Sequence, residues 1–202
     1  MAAKSNLVNM VACLFGVCLV CAAVLGSVYS VTKEPIEAAA AAEAQTAIAK
    51  VLPDGGEITE GTATLPEGVL AYYEQAGPDG VAAYAVKTVS SGFGGPLMLM
   101  VGVLPDGTVY NTSVLSHSET PGLGAKCAEE GSHFRTQWHN FAGKFAVKKD
   151  GGDIDAITAS TITSRAYTKA VAQAVALVKG FNGEEMTVTD ASTGASVKSK
   201  EE

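Results

Sequence analysis

Two short segments hold the residues whose types and spacing could do chemistry. The first is His117-Ser118-Glu119-Thr120-Pro121-Gly122-Leu123-Gly124-Ala125-Lys126. Its Thr-Pro-Gly-Leu-Gly portion is a rigid turn flanked by glycines, which permit close backbone approach to a ligand. The second is Asp155-Ala156-Ile157-Thr158-Ala159-Ser160-Thr161-Ile162-Thr163-Ser164. It crowds hydroxyl side chains at the mouth of a helix expected over 162–180. A helix start offers unpaired N–H groups and the positive end of the dipole, so it suits an anion, above all a phosphate. Taken alone, the same cluster reads first as ordinary N-capping. A phosphate loop of the G-x-x-x-x-G-K-[ST] kind is absent from the sequence.

Cys127, His133 and His139 raise the question of a metal. Their spacing matches no usual zinc pattern, so no metal site is expected and the histidines read as surface residues. No nucleophile triad is supported either.

The elements that must position the two segments follow from periodicity. Val69 to Ala76, Val81 to Val89, Leu97 to Leu104 and Thr108 to Leu115 read as strands joined by turns at Gly77-Pro78-Asp79-Gly80, Gly92 to Pro96 and Pro105-Asp106-Gly107. They predict an antiparallel sheet of three or four strands. Residues 116–143 read as irregular. Lys144 to Lys148 and Ile154 to Thr158 could add two short strands. Ala166, Ala170, Val171, Ala174, Val175 and Val178 recur at helical spacing in the segment from Ile162 to Gly180. Trp138 is expected in the core. The fold class is α+β.

Ahead of this domain, no charged residue lies between Lys4 and Lys33, and Leu7 to Val31 is almost continuously apolar. About 20 such residues cross a bilayer as a helix. A cleaved signal peptide would have an apolar run of only ~7–15 residues. A retained transmembrane anchor is therefore the expectation, over residues 1–33. Cys18 and Cys21 each follow a Val, which argues against a lipoprotein cysteine. Cys13, Cys18 and Cys21 read as small hydrophobes within the span; a site shared with a partner's cluster is the minor alternative. Alanine-rich residues 34–53 form a helical stalk, 54–185 the domain, and 186–202 a mobile tail. The N-terminus is placed on the cytoplasmic side and the domain outside, in a bacterial inner membrane.

Composition narrows the partners. The 202 residues carry a net charge of −7, with 47% hydrophobic and 17% charged residues. An isoelectric point near 5.0 argues against a nucleic-acid partner.

Together the two segments resemble the covalent-FMN domain shared by two redox-complex components. These are the G subunit of the Rnf-type ion-translocating ferredoxin:NAD oxidoreductase complex and the C subunit of the sodium-translocating NADH:quinone reductase. The family pattern is E-T-P-G-L-G followed by D-x-x-[ST]-G-A-T before a helix. The loop is intact at Glu119 to Gly124, whereas the second motif reads D-A-I-T-A-S-T from Asp155 to Thr161. Ala159 thus stands for the family Gly and Ser160 for the family Ala. The anchor with Lys33-Glu34-Pro35 belongs to the resemblance too, and the compact length favours the Rnf subunit.

The resemblance implies an electron-transfer subunit with FMN esterified through its phosphate to Thr161. A flavin transferase takes that FMN from FAD. It also implies other membrane subunits as partners and little turnover by the chain alone. Glu119, Thr120, Leu123 and Gly124 become candidate flavin contacts. Thr158, Ser160, Ile162 and Thr163 surround the attachment point. His117 and Lys144 are further candidates, Lys144 for balancing the charge of a reduced flavin. No catalytic residue separate from the flavin is implied. Thr193-Gly194-Ala195-Ser196 imitates the end of the motif but lacks a following apolar helix. The alternatives are the equivalent C subunit of the quinone reductase, a flavin-free tethered assembly subunit, and a stand-alone flavoprotein reductase.

Overall fold

The computed structural model describes residues 7–78 and 80–183. The Thr193–Ser196 imitation and the expected tail lie outside them. The chain divides into two units, one up to Glu43 and one from Ala44 onward.

The first unit is helical. Helix α1 runs Leu7–Val51, and its residues through Glu43 make up the described part of this unit. It continues through Pro35, although a proline inside a helix removes one hydrogen bond and crowds the preceding turn. The apolar side chains of its first half are exposed, Leu14, Phe15 and Leu25 among them. The hydroxyls there satisfy themselves internally: Ser27 Oγ donates to the Ala23 carbonyl and Thr32 Oγ1 to that of Val28, each within one helical turn. Such back-bonding lets a polar side chain sit in hydrocarbon. The helix is long and apolar enough to cross a membrane.

The second unit is a five-stranded antiparallel meander with helices against it. The strands are β1 Ile58–Glu60, β2 Val69–Gly77, β3 Gly80–Ser91, β4 Pro96–Val103 and β5 Val109–Ser116, in that spatial order. Four of them match the sequence expectation within a residue or two. β1 is additional: its three residues are exposed and carry no alternation to betray it. The two short strands expected over 144–158 reduce to one parallel bridge between Val147 and Ile154. The chain enters a 3-10 turn at Lys148–Asp150 directly after Val147, which ends the extended stretch there. The region over 116–143 contains a single turn of helix α2, His133–Thr136, and helix α3 follows at Thr161–Phe181.

Both sheet faces are covered, which explains the unbroken apolar run of β4. Leu97, Leu99, Val101 and Val103 point to one face with Tyr84 and Val86, where α3 packs through Ala170, Val171, Ala174 and Val178. Met100 points to the other face with Ala83 and Ala85, against Ala47, Ile48 and Val51 at the end of α1. Trp138 is fully buried on the α3 side and stacks on Tyr167 at 5.4 Å between ring centroids.

Candidate functional site

Three chain segments meet beside the N-terminus of α3. The first is the β3–β4 turn, Gly92 to Gly95, closed by a 2.8 Å hydrogen bond from Gly92 N to the Gly95 carbonyl. The second is the Glu119 to Gly124 loop. Its turn is fixed by the Thr120 carbonyl, which accepts from the N–H groups of both Leu123 and Ala125 at 3.2 Å. The third is the Ile157 to Thr161 turn, where Ser160 N donates to the Ile157 carbonyl at 3.0 Å.

Glu119 ties the three together. The residue is only 7% exposed. Oε1 accepts from Phe93 N at 2.8 Å and from Gly94 N at 3.4 Å. Oε2 accepts from Thr163 Oγ1 at 2.8 Å. One carboxylate therefore gathers a backbone turn and a helix hydroxyl, and its charge is spent on donors inside the protein.

The motif turn before α3 is tightly specified. Ser164 Oγ donates to the Ser160 carbonyl at 2.9 Å and accepts from Ile157 N at 2.9 Å. Ala159 takes φ 60°, the left-handed conformation in which a glycine is at ease. That is the position where the family pattern carries Gly, so the Ala preserves the backbone path at a cost in strain. Ser160 occupies the N-cap position but makes no side-chain capping hydrogen bond. The capping reading of this hydroxyl cluster is thus not what Ser160 does, and the first turn of α3 keeps N–H groups without intrahelical partners.

Asp155, which opens the motif, is gripped at its backbone. Gln137 Nε2 donates to its carbonyl at 3.0 Å, and its N–H donates to Gln137 Oε1 at 2.9 Å. The Lys148 ammonium, hydrogen-bonded to its carboxylate, holds Asp155 below the usual carboxylate range, with His133 adding to the effect. In the first turns of α3, Arg165 forms a two-pronged pair with Asp150 at 2.7 Å on each arm, which lowers the Asp150 pKa.

Between the three segments lies a cavity of about 390 Å³. It is lined by Phe93, Glu119, Thr120, Leu123, Gly124, Ala159, Ser160, Thr161, Ile162 and Thr163. Its walls are mostly apolar: Phe93, Leu123 and Ile162 line it while remaining 70%, 43% and 40% exposed. Hydroxyls and the α3 start occupy one end. Eight of the residues expected from sequence meet here: Glu119, Thr120, Leu123, Gly124, Ser160, Thr161, Ile162 and Thr163. Thr158, His117 and Lys144 do not line the cavity. His117 Nδ1 instead accepts from Glu119 N at 3.2 Å, and Lys144 N donates to Asp153 Oδ2 at 2.7 Å.

Phe93 and Ala159 are the lining residues that sequence reasoning missed. Nothing in G-F-G-G beyond a hairpin turn distinguishes Phe93. Ala159 was visible only as a departure from the motif.

Cys127, His133 and His139 do not converge. Cys127 is buried in the core, His133 pairs with Asp155 at 3.5 Å, and His139 packs on Tyr110. Among the described residues no group of three or more His, Cys, Asp or Glu is placed to hold a metal.

Comparison with known proteins finds an FMN-binding domain over residues 92–176. The chain is 34% identical to the G subunit of the proton-translocating ferredoxin:NAD(+) oxidoreductase complex of Clostridium ljungdahlii, covering 82% of this chain and 88% of that one. It is 33% identical to the G subunit of an ion-translocating oxidoreductase complex of Haemophilus influenzae, over 74% of this chain and 79% of the relative. It is 35% identical to the corresponding protein of Vibrio atlanticus, over 75% and 80%.

Proposed function

Because the chain belongs to the G-subunit family of ion-translocating oxidoreductase complexes, we propose that it carries its FMN as a phosphoester on Thr161 and relays electrons between neighbouring redox subunits. It is a single-pass membrane protein with an FMN-binding domain, and it serves a redox role within a complex. The flavin supplies one- and two-electron exchange when bound; the protein holds it and tunes it.

The observation that carries the proposal is the position of Thr161. It is the first residue of α3 and lines the 390 Å³ cavity. A phosphoester there would meet the free N–H groups and positive dipole of a 21-residue helix. The rest of the cavity fits a flat, largely apolar ring, with Leu123 and Ile162 offering aliphatic surface. Glu119 fits as well, because its charge is already engaged by three donors and does not confront an anionic ligand. Its role becomes holding the walls rather than touching the ring.

Attachment by a flavin transferase would join Thr161 Oγ to the FMN phosphorus of FAD, with AMP as the leaving group and the hydroxyl proton released. A tethered flavin is not lost when its affinity changes with redox state. The chain alone should turn over little, since its part is to exchange electrons with its partners in the complex. Residues 1–33 act as the anchor, with the N-terminus cytoplasmic and the 54–185 domain outside the inner membrane.

Intact mass of the full chain, made with a matching flavin transferase, tests the proposal. Wild type should gain the mass of one esterified FMN, and Thr161→Ala should gain none. An unmodified wild type beside an active transferase would instead favour a flavin-free assembly role.

A further inference from the structure

The β3–β4 turn is built to present one side chain. Gly92 and Gly94 approach the Glu119 segment so closely that a Cβ on Gly92 would overlap Glu119 Oε1, and one on Gly94 would overlap the Ser118 carbonyl oxygen. Glu119 then fixes the turn by accepting from the N–H groups of Phe93 and Gly94. The turn is pinned at both ends by the β3–β4 ladder, in which Ser91 pairs with Pro96. What this rigid frame leaves outside is Phe93, 70% exposed on the rim of the cavity that also holds Thr161.

A large aromatic held in water by a fixed backbone, beside a cavity with two more exposed apolar walls, is a surface prepared for a flat apolar ligand. The backbone bonds of Phe93 and the glycines around it secure the turn whether or not the ring is present. The ring itself is therefore free for a binding role.

We propose that Phe93 is a flavin-contact residue: its ring packs on the isoalloxazine of the FMN held at Thr161 and shields it from water. This rests on the attachment at Thr161 proposed above. Glu119 is the positioning residue that holds Phe93 in place.

The test uses the full chain in detergent, matured with a matching flavin transferase, as wild type, Phe93→Ala and Phe93→Tyr. Intact mass reads attachment, and iodide quenching of flavin fluorescence reads ring exposure. Phe93→Ala should keep its FMN and show a quenching constant about twofold higher, as one of two ring faces opens. Phe93→Tyr should stay at the wild-type value. FMN lost in Phe93→Ala but kept in Phe93→Tyr would equally support the proposal, since the ring would then be needed to seat the flavin. Unchanged quenching in Phe93→Ala would overturn it. So would a rise shared by Phe93→Tyr, or FMN lost in both variants, which would point to the turn rather than the ring. A wild type without FMN would remove the Thr161 attachment, and this proposal with it; a loaded wild type with an indifferent Phe93→Ala would remove Phe93 alone.

Discussion

Thr163 Oγ1 donates to Glu119 Oε2 at 2.8 Å, joining residues 44 positions apart and locking the E-T-P-G-L-G loop to the first turn of α3. The same carboxylate receives Phe93 N. Removing it strands the buried Thr163 hydroxyl and the half-buried N–H groups of Phe93 and Gly94, and a buried donor without a partner costs more than the hydrogen bond itself contributes.

Glu119→Ala is expected to destabilise the domain by about 3 kcal/mol, the sum of a lost charge-assisted bond and unmet donors. At about 2–4 °C per kcal/mol, the melting temperature should fall by roughly 6–12 °C. Thr163→Val should cost less, about 1–2 kcal/mol, because the carboxylate keeps its backbone donors. In a double-mutant cycle the two should couple by more than about 0.5 kcal/mol. Additive effects would mean that the 2.8 Å contact carries no energy of its own. Trp138 is the sole tryptophan and is fully buried, so its fluorescence follows unfolding of this domain in the full chain.

Ala159 is strained, and the strain is removable. A non-glycine residue in the left-handed region pays about 1–2 kcal/mol for its Cβ, and glycine escapes that cost while gaining freedom in the unfolded chain worth about 0.4–1 kcal/mol. Ala159→Gly should therefore stabilise by roughly 0.5–1 kcal/mol net, read as a raised denaturant midpoint with an unchanged slope. Ala159→Val should move the midpoint down, because a β-branched side chain tolerates φ 60° poorly. A destabilised Ala159→Gly would show that the methyl on the cavity wall contributes more than its backbone costs.

These two sites show where the sequence was readable and where it was not. Strands β2 to β5 announced themselves as apolar segments between turn residues, β4 as an unbroken run because both its faces are covered, and helix α3 through its helical repeat. β1 did not, since three exposed residues have no face to repeat. Val147 and Ile154 were legible as apolar positions, but only their packing decided that they share a single bridge. At the site, the two motif segments were readable from residue type. Phe93 was not, because its meaning comes from Glu119, 26 positions away, which pins its turn. Lys144 was singled out for its charge, but its position is set by its backbone, whose N–H donates to Asp153, and it does not line the cavity.

Cys127 makes an alkaline prediction. Burial pushes its thiol up to about 11, and the nearby Glu119 carboxylate adds to the rise, while Arg135 and a backbone hydrogen bond oppose it. The unfolded chain releases this proton near pH ~8.5, whereas the folded chain keeps it. Between those values the folded state binds more protons, so stability must fall as pH rises. The loss should begin near pH ~8.5 and reach on the order of 2–3 kcal/mol by about pH 11. Tyr167, pushed up to about 12 by burial, adds a further loss in the same direction above about pH 10. Urea midpoints followed by Trp138 fluorescence at pH 7, 8, 9 and 10 test this in the flavin-free full chain. Wild type should decline steadily above pH ~8.5. Cys127→Ala should be weaker at pH 7, because it leaves a small void in the core, yet decline less over the same range. Parallel slopes for the two proteins would mean that another group governs the alkaline limb.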